Sequence, residues 1–139
     1  MTKTEHYNLN KPEGNDPVRL ADFNENADII DAAIAAIPDI VTGTYIGNGT
    51  ATRTVDLGFA PKAVFVCSDQ GATCFYAPNG ALLIHGGLVL PDNGLRYSYV
   101  APDALTITDT GLQVSYYDGT AFYNCTNTNN RVYHYVALR

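Results

Sequence analysis

The residues best suited to holding another molecule are gathered in one stretch, "YYDGTAFYNCTNTNNR", residues 116–131. Tyr116, Tyr117 and Tyr123 offer flat apolar rings that end in a hydroxyl. Asp118, Asn124, Asn127, Asn129, Asn130 and Arg131 add the directional donors and acceptors that the hydroxyls of a sugar require. Mixed aromatic and polar surfaces carried on loops above a rigid sheet are common in binding sites. The competing explanation is structural, because Asn, Thr and Gly are ordinary turn residues and Tyr is an ordinary strand residue.

Other short patterns carry less chemistry. "GNG" at 47–49 lacks the third glycine and following helix of a dinucleotide loop, and reads as a hairpin turn. "HGG" at 85–87 has the style of an oxyanion loop, yet no G-x-S-x-G supplies a nucleophile, so it reads as a turn. The acids are scattered and form no carboxylate pair by spacing. The expectation is that the protein is not an enzyme and uses no cofactor. His6, His85 and His134 are too dispersed for a metal site within one chain, and no CxxC or His–Cys cluster has zinc spacing, so no metal is expected. His134 would hold a metal or anion only where three copies met on a threefold axis; the plainer reading is a core or interface histidine. Cys67 and Cys74 would face each other across a Gln70–Gly71 turn, which leaves a disulfide geometrically open. Free thiols are preferred for a chain kept in the cytoplasm. "NGT" at 48–50 and "NCT" at 124–126 read as chance matches to the glycosylation pattern.

Formal charge is −6, and it is uneven. Residues 1–40 hold eight acids against Lys3, Lys11 and Arg19, while the remaining residues hold six acids against five bases. No basic patch exists for a phosphate backbone or an anionic membrane to find, so neither nucleic acid nor membrane is an expected partner. "MTKTEHYNLN" has no apolar run like the core of a secretion signal, and the expectation is synthesis in the cytoplasm.

These residues have to be positioned by the elements around them. Residues 1–19 are polar, carry Pro12, Gly14 and Pro17, and read as an extended arm with turns. "LADFNENADIIDAAIAAIP" follows as the one clear helix, 20–38, with Asp22 and Glu25 at capping-box spacing and Pro38 as its stop. From Val41 onward, segments rich in Val, Ile, Tyr, Phe and Thr alternate with Gly, Asn, Asp and Pro, the signature of an antiparallel sandwich or barrel. Strands are expected near 41–47, 52–58, 62–68, 72–77, 81–84, 87–90, 95–100, 104–108, 111–117, 120–124 and 131–138. In the last of these, Val132, His134, Val136 and Leu138 point one way and Tyr133, Tyr135 and Ala137 the other. Both faces are fairly apolar, which predicts burial on both sides, against the core and against a neighbouring subunit.

Within the helix, Leu20, Phe23, Ala27, Ile30, Ile34 and Ile37 recur at steps of three and four. That is the spacing of a narrow seam between like helices, and Ile at both kinds of seam position favours three or four strands over two. The alternative is an amphipathic helix packed on its own sandwich. Ile29 falls off the seam and needs another surface. Asp22, Glu25, Asp28, Asp31 and Asp39 have no cation among them, so the seam is too weak to hold an assembly without help from the β-domain.

"YNLNKPEGNDPVRLADFNENADIIDAAI" resembles the N-terminal segment of many bacteriophage and prophage tail proteins, where a polar arm precedes an "IID" heptad and joins a trimeric fibre. "GTYIGNGTATRTVDLGFAPKAVFV" and "NTNNRVYHYVALR" look like β-rich tip modules of tail fibres and receptor-binding proteins from phages of Gram-positive gut bacteria. More distantly, "VDLGFAPKAVFV", "TGLQVSYY" and "RVYHYVAL" follow the strand order of H-type lectins, trimeric sandwiches that bind sugars near subunit boundaries. The Trp that usually ends that family's last strand is absent, with Tyr135 roughly in its place, so no binding residue is carried over.

The resulting expectation is a mainly β protein: an arm over 1–19, a trimerisation helix over 20–38 and an antiparallel β-sandwich head over 39–139. The resemblance implies a homotrimeric component of the virion tail, with other tail proteins as partners of the arm and a host cell-surface glycan or protein as partner of the head. The alternatives are a purely architectural tail protein and a bacterial lectin-like protein.

Overall fold

A computed structural model describes all 139 residues, which divide into two compact units, Met1–Pro38 and Asp39–Arg139.

The first unit corrects the expectation of an extended arm. Strands β1 (Thr2–Lys3) and β2 (Asn10–Lys11) pair as an antiparallel hairpin, which docks on helix α1 (Leu20–Ala35). The joint rests on Asn26. Its Oδ1 accepts from the Asn10 N–H at 2.6 Å and its Nδ2 donates to the Asn10 carbonyl at 3.0 Å. A side-chain amide carries a donor and an acceptor side by side, so it can pair with a strand residue as another backbone would. Glu25 completes the contact, accepting from Asn10 Nδ2 at 2.7 Å and Lys3 Nζ at 3.3 Å, and these partners hold its carboxyl below the usual range.

Helix α1 begins one turn earlier in its capping than the sequence implied. Arg19 is the N-cap, and Asp22 reaches back to accept from the Arg19 N–H at 2.9 Å. Asp22 therefore fills the third-residue role of the capping box that Glu25 was expected to take. The helix stops at Ala35, so Ile37 lies beyond its last turn, because Pro38 disfavours helical geometry in the residue before it. Asp22, Asn26, Ile29 and Ala33 are its half-buried residues, spaced by four, three and four on the face that includes the hairpin's anchor. Ile29 is half-buried on that face. No helix is long and apolar enough to cross a membrane.

The second unit is mainly β. Its strands are β3 (Ile40–Ile46), β4 (Thr52–Asp56), β5 (Ala63–Ser68), β6 (Cys74–Tyr76), β7 (Leu82–Ile84), β8 (Gly87–Val89), β9 (Leu105–Thr108), β10 (Gly111–Asp118), β11 (Phe122–Cys125) and β12 (Val132–Leu138). Four of them form an antiparallel sheet in the order β3-β12-β5-β8. The others form a sheet in the order β4-β10-β11-β7-β6, with β9 also paired to β10. One pair there, β7 with β11, is parallel, so the expectation of purely antiparallel pairing is corrected at that point. Val64, Val66, Val89, Tyr133 and Ala137 from the first sheet share one core with Val55, Leu105, Leu112 and Val114 from the second, an arrangement consistent with a sandwich.

The expected strand at 95–100 is absent. Leu95 makes one bridge to Leu105, after which the chain turns with Ala101 N–H donating to the Ser98 carbonyl at 3.1 Å. The Arg96–Asp103 ion pair, 2.8 Å, closes the loop. Tyr99 at its tip is 98% exposed.

In β12 the alternation is as the sequence reads, with Tyr133 and Ala137 in the core. Tyr133 stacks on Tyr45 with ring centroids 4.9 Å apart, and the two hydroxyls donate to the carbonyls of Cys125 and Thr126. Burial on the other side of the strand is not found within a single chain. Val136 is 42% exposed, and Ile46, Phe65 and Leu88 on the same outward face are exposed too. Cys67, Cys74 and Cys125 are all free.

Candidate functional site

Strand β10 changes neighbours along its length. β9 lies beside Gly111–Val114 and β11 beside Tyr116–Asp118, so on that edge Ser115 falls between the two. Two hydroxyls close the gap. Ser115 N–H donates to Thr126 Oγ1 at 2.9 Å, and Thr126 Oγ1 donates to the Ala104 carbonyl at 2.6 Å. Ser115 Oγ donates to the Asp103 carbonyl at 2.8 Å. Side chains thus replace the ladder where strand pairing is interrupted, as buried backbone groups require.

A cleft of about 310 Å³ opens beside this junction, with Gln113, Ser115, Tyr116, Tyr117, Asp103 and Asn124 among the residues that line it. Gln113, Ser115 and Tyr117 come from alternate positions of β10 and so share a face. Asn124 sits directly opposite Tyr117 on β11 and has no exposed surface. Its Nδ2 donates to the Pro102 carbonyl at 3.1 Å, which fixes the amide orientation, while its Oδ1 has no donor. The only charged lining residue, Asp103, is paired with Arg96. The Tyr117 ring is held by stacking on Phe122 at 5.0 Å, and Phe122 stacks in turn on Tyr97 at 4.9 Å. Gly119 lies against the same ring, where a Cβ would collide with it.

A second group gathers around His85, which is 1% exposed and stacked on Phe75. His85 Nδ1 is 3.1 Å from Arg131 Nη1. A guanidinium can only donate, so Nδ1 accepts and the ring proton sits on Nε2, which has no partner. Burial, reinforced by Arg131, pushes the His85 pKa down to about 4. Arg131 Nε also lies 3.8 Å from Asp69 Oδ1. No three His, Cys, Asp or Glu side chains stand close enough to hold a metal ion.

The stretch 116–131 is therefore divided. Tyr116, Tyr117 and Asn124 meet at the cleft. Asn127 is fully buried and braces the β3–β4 turn, donating to Asn48 Oδ1 at 2.8 Å and to the Thr50 carbonyl at 2.9 Å. Arg131 belongs with His85. Asp118 and Tyr123 pair across the β10–β11 hairpin, with Asp118 exposed and Tyr123 half-buried. Asn129 and Asn130 are exposed in the following turn, where Asn130 has φ +60°. Sequence reasoning missed Asp103, Thr106, Gln113 and Ser115. The period-two spacing of Gln113, Ser115 and Tyr117 was a usable signal for two of them; the 102–106 segment carried none.

No family model, curated protein or solved structure matches the chain.

Proposed function

We propose that this protein is a non-enzymatic component of a bacteriophage or prophage tail, which associates as a homotrimer through α1 and presents its β-rich heads to a host cell-surface glycan or protein. The observation that carries the reading is that α1 has no buried side chain, while the residues spaced by three and four stand open: Leu20 is 76% exposed and Ile34 62%. A helix this short gains little stability from its own hydrogen bonds and needs apolar burial from elsewhere. The hairpin's anchor at Asn26 lies on a different face, and Tyr7 of the hairpin reaches the seam's later turns, so most of the seam's length is open to like helices. Tyr7 with Ile30, Ala33, Ile34 and Ile37 borders a groove of about 190 Å³, a receptacle for side chains of a second copy.

The acids of α1 have no cation in its last turn and oppose close association, which calls for contacts between heads as well. The outward face around Val136, Phe65 and Leu88 is the surface best suited to that. His6, exposed beyond the β1–β2 pairing, is what the hairpin offers to another tail protein. Light scattering at micromolar concentration tests the reading. The expected mass is three times 15.0 kDa, and a species of 15.0 kDa would overturn it.

One observation favours the purely architectural alternative. Asn127 and Arg131, two of the polar groups offered for recognition, hold the fold together instead. Host-cell adhesion by the whole protein separates the readings: an adhesive head binds and loses binding on substitution of Tyr117, whereas an architectural one binds nothing.

A further inference from the structure

We infer that the cleft beside Ser115 is a binding site for a neutral saccharide unit. This rests on the adhesive reading above and names the ligand class for it. The first observation is the Asn124 carbonyl, fully buried in the cleft wall and without a donor. Its amide cannot turn to relieve this, because the NH2 is committed to Pro102. That acceptor lies just beneath the cleft surface, and a small shift of the side chains over it admits a ligand hydroxyl, which is what a sugar supplies in quantity. Gln113 and Thr106, directly opposite each other across β9 and β10, add an amide and a hydroxyl.

Charge and topology narrow the choice. Asp103 is neutralised by Arg96 at 2.8 Å, and no unpaired cation lines the cleft, so phosphate, sulfate and carboxylate groups find no counter-charge. An extended peptide would need a free strand edge to add to. At Ser115, β4 occupies one edge of β10, and Thr126 with Ala104 closes the other. The volume of about 310 Å³ lies at the low end of small-molecule sites, roughly 300–1,000 Å³, and suits a sugar ring or two. Phe122 covers one face of the Tyr117 ring and holds it in place, so this partly exposed side chain meets a ligand with little ordering left to do.

The test uses the full chain on an array of neutral hexose and N-acetylhexosamine saccharides beside sialylated, sulfated and phosphate-bearing ones. The best neutral ligand is then titrated calorimetrically against wild type, Gln113→Ala and Tyr117→Phe. Each variant is expected to weaken binding roughly fivefold, the loss of one neutral hydrogen bond, with an unchanged circular dichroism spectrum. On unaltered protein, the Asn124 side-chain amide resonance is expected to shift on saturation. Binding confined to anionic saccharides, no binding to any saccharide, or neutral binding indifferent to both variants would overturn the inference. Each chain holds a whole cleft, so saccharide binding by a monomer would sink the trimer alone, and a trimer that binds no saccharide would sink this site alone.

Discussion

Asn127 and Asn129 are the same letter two positions apart and have opposite fates. Asn127 has no exposed surface, and its amide links Asn48 and Thr50, partners nearly 80 residues away in sequence. Replacing it with Ala removes the buried amide that ties the β3–β4 turn down, while its partners Asn48 and Thr50 are exposed and can turn to water, so Asn127→Ala is expected to cost about 1.5 kcal/mol, read from the urea midpoint. Asn129→Ala, at an exposed turn, should stay within about 0.5 kcal/mol. The sequence supplied the right residue types but could not sort them, because the sorting depends on which distant turn folds across which. His85 gives a pH dependence at the same scale. Its pKa is 6.5 in the unfolded chain and about 4 when folded among Phe75, Arg131 and Asp69. The unfolded state therefore takes up the proton first as pH falls. Stability from this group is complete above pH 6.5 and is lost progressively toward pH 4, by on the order of 3 kcal/mol. Urea titrations across that range should show the decline, and His85→Asn should flatten it.

At the scale of elements, periodicity was legible and docking was not. Period-two alternation put Tyr133 and Ala137 together on one face of β12 without telling which face is the core, because both are apolar, and the strand-rich segments fell close to their observed bounds. It failed at 95–100, where "LRYSYV" alternates like a strand but Arg96 pairs with Asp103 and the chain turns at Ser98. The polar arm hides its hairpin for a related reason. Asn10 and Asn26 look like loop residues until they meet, and nothing in their spacing announces that two amides will join a hairpin to a helix. Asn26→Ala removes both bonds to Asn10, so exchange of the Asn10 amide is expected to accelerate at least about tenfold in hydrogen-exchange measurements. The helix seam is tested separately. Ile30 and Ile34 are both exposed, so the double change Ile30→Asp with Ile34→Asp removes nothing from the folded chain's interior. In a trimer it would place six carboxylates in an apolar seam. Sedimentation should then report 15.0 kDa with the circular dichroism spectrum retained.

For the molecule as a whole, the distribution of the core decides what each unit can do alone. Every residue of the hydrophobic core cluster, from Tyr45 to Ala137, lies in Asp39–Arg139. The unit also closes on itself, with the Arg139 N–H donating to the Asp39 carbonyl at 2.9 Å. Met1–Pro38 holds one half-covered helix and a hairpin of two-residue strands, too little apolar burial for independent stability. A fragment of residues 39–139 is therefore expected to unfold cooperatively, with a free energy within about 1 kcal/mol of the same unit in the full chain. Its association state then assigns the source of assembly. A monomeric fragment beside a trimeric full chain puts the driving force in α1. A fragment that still associates, and loses association on Phe65→Lys or Val136→Lys, puts it on the outward sheet face. The acids of α1 favour a division of labour, since helices that repel each other along their length need heads that meet. On that argument the fragment alone should associate only at concentrations well above those that assemble the full chain, a difference visible in a dilution series.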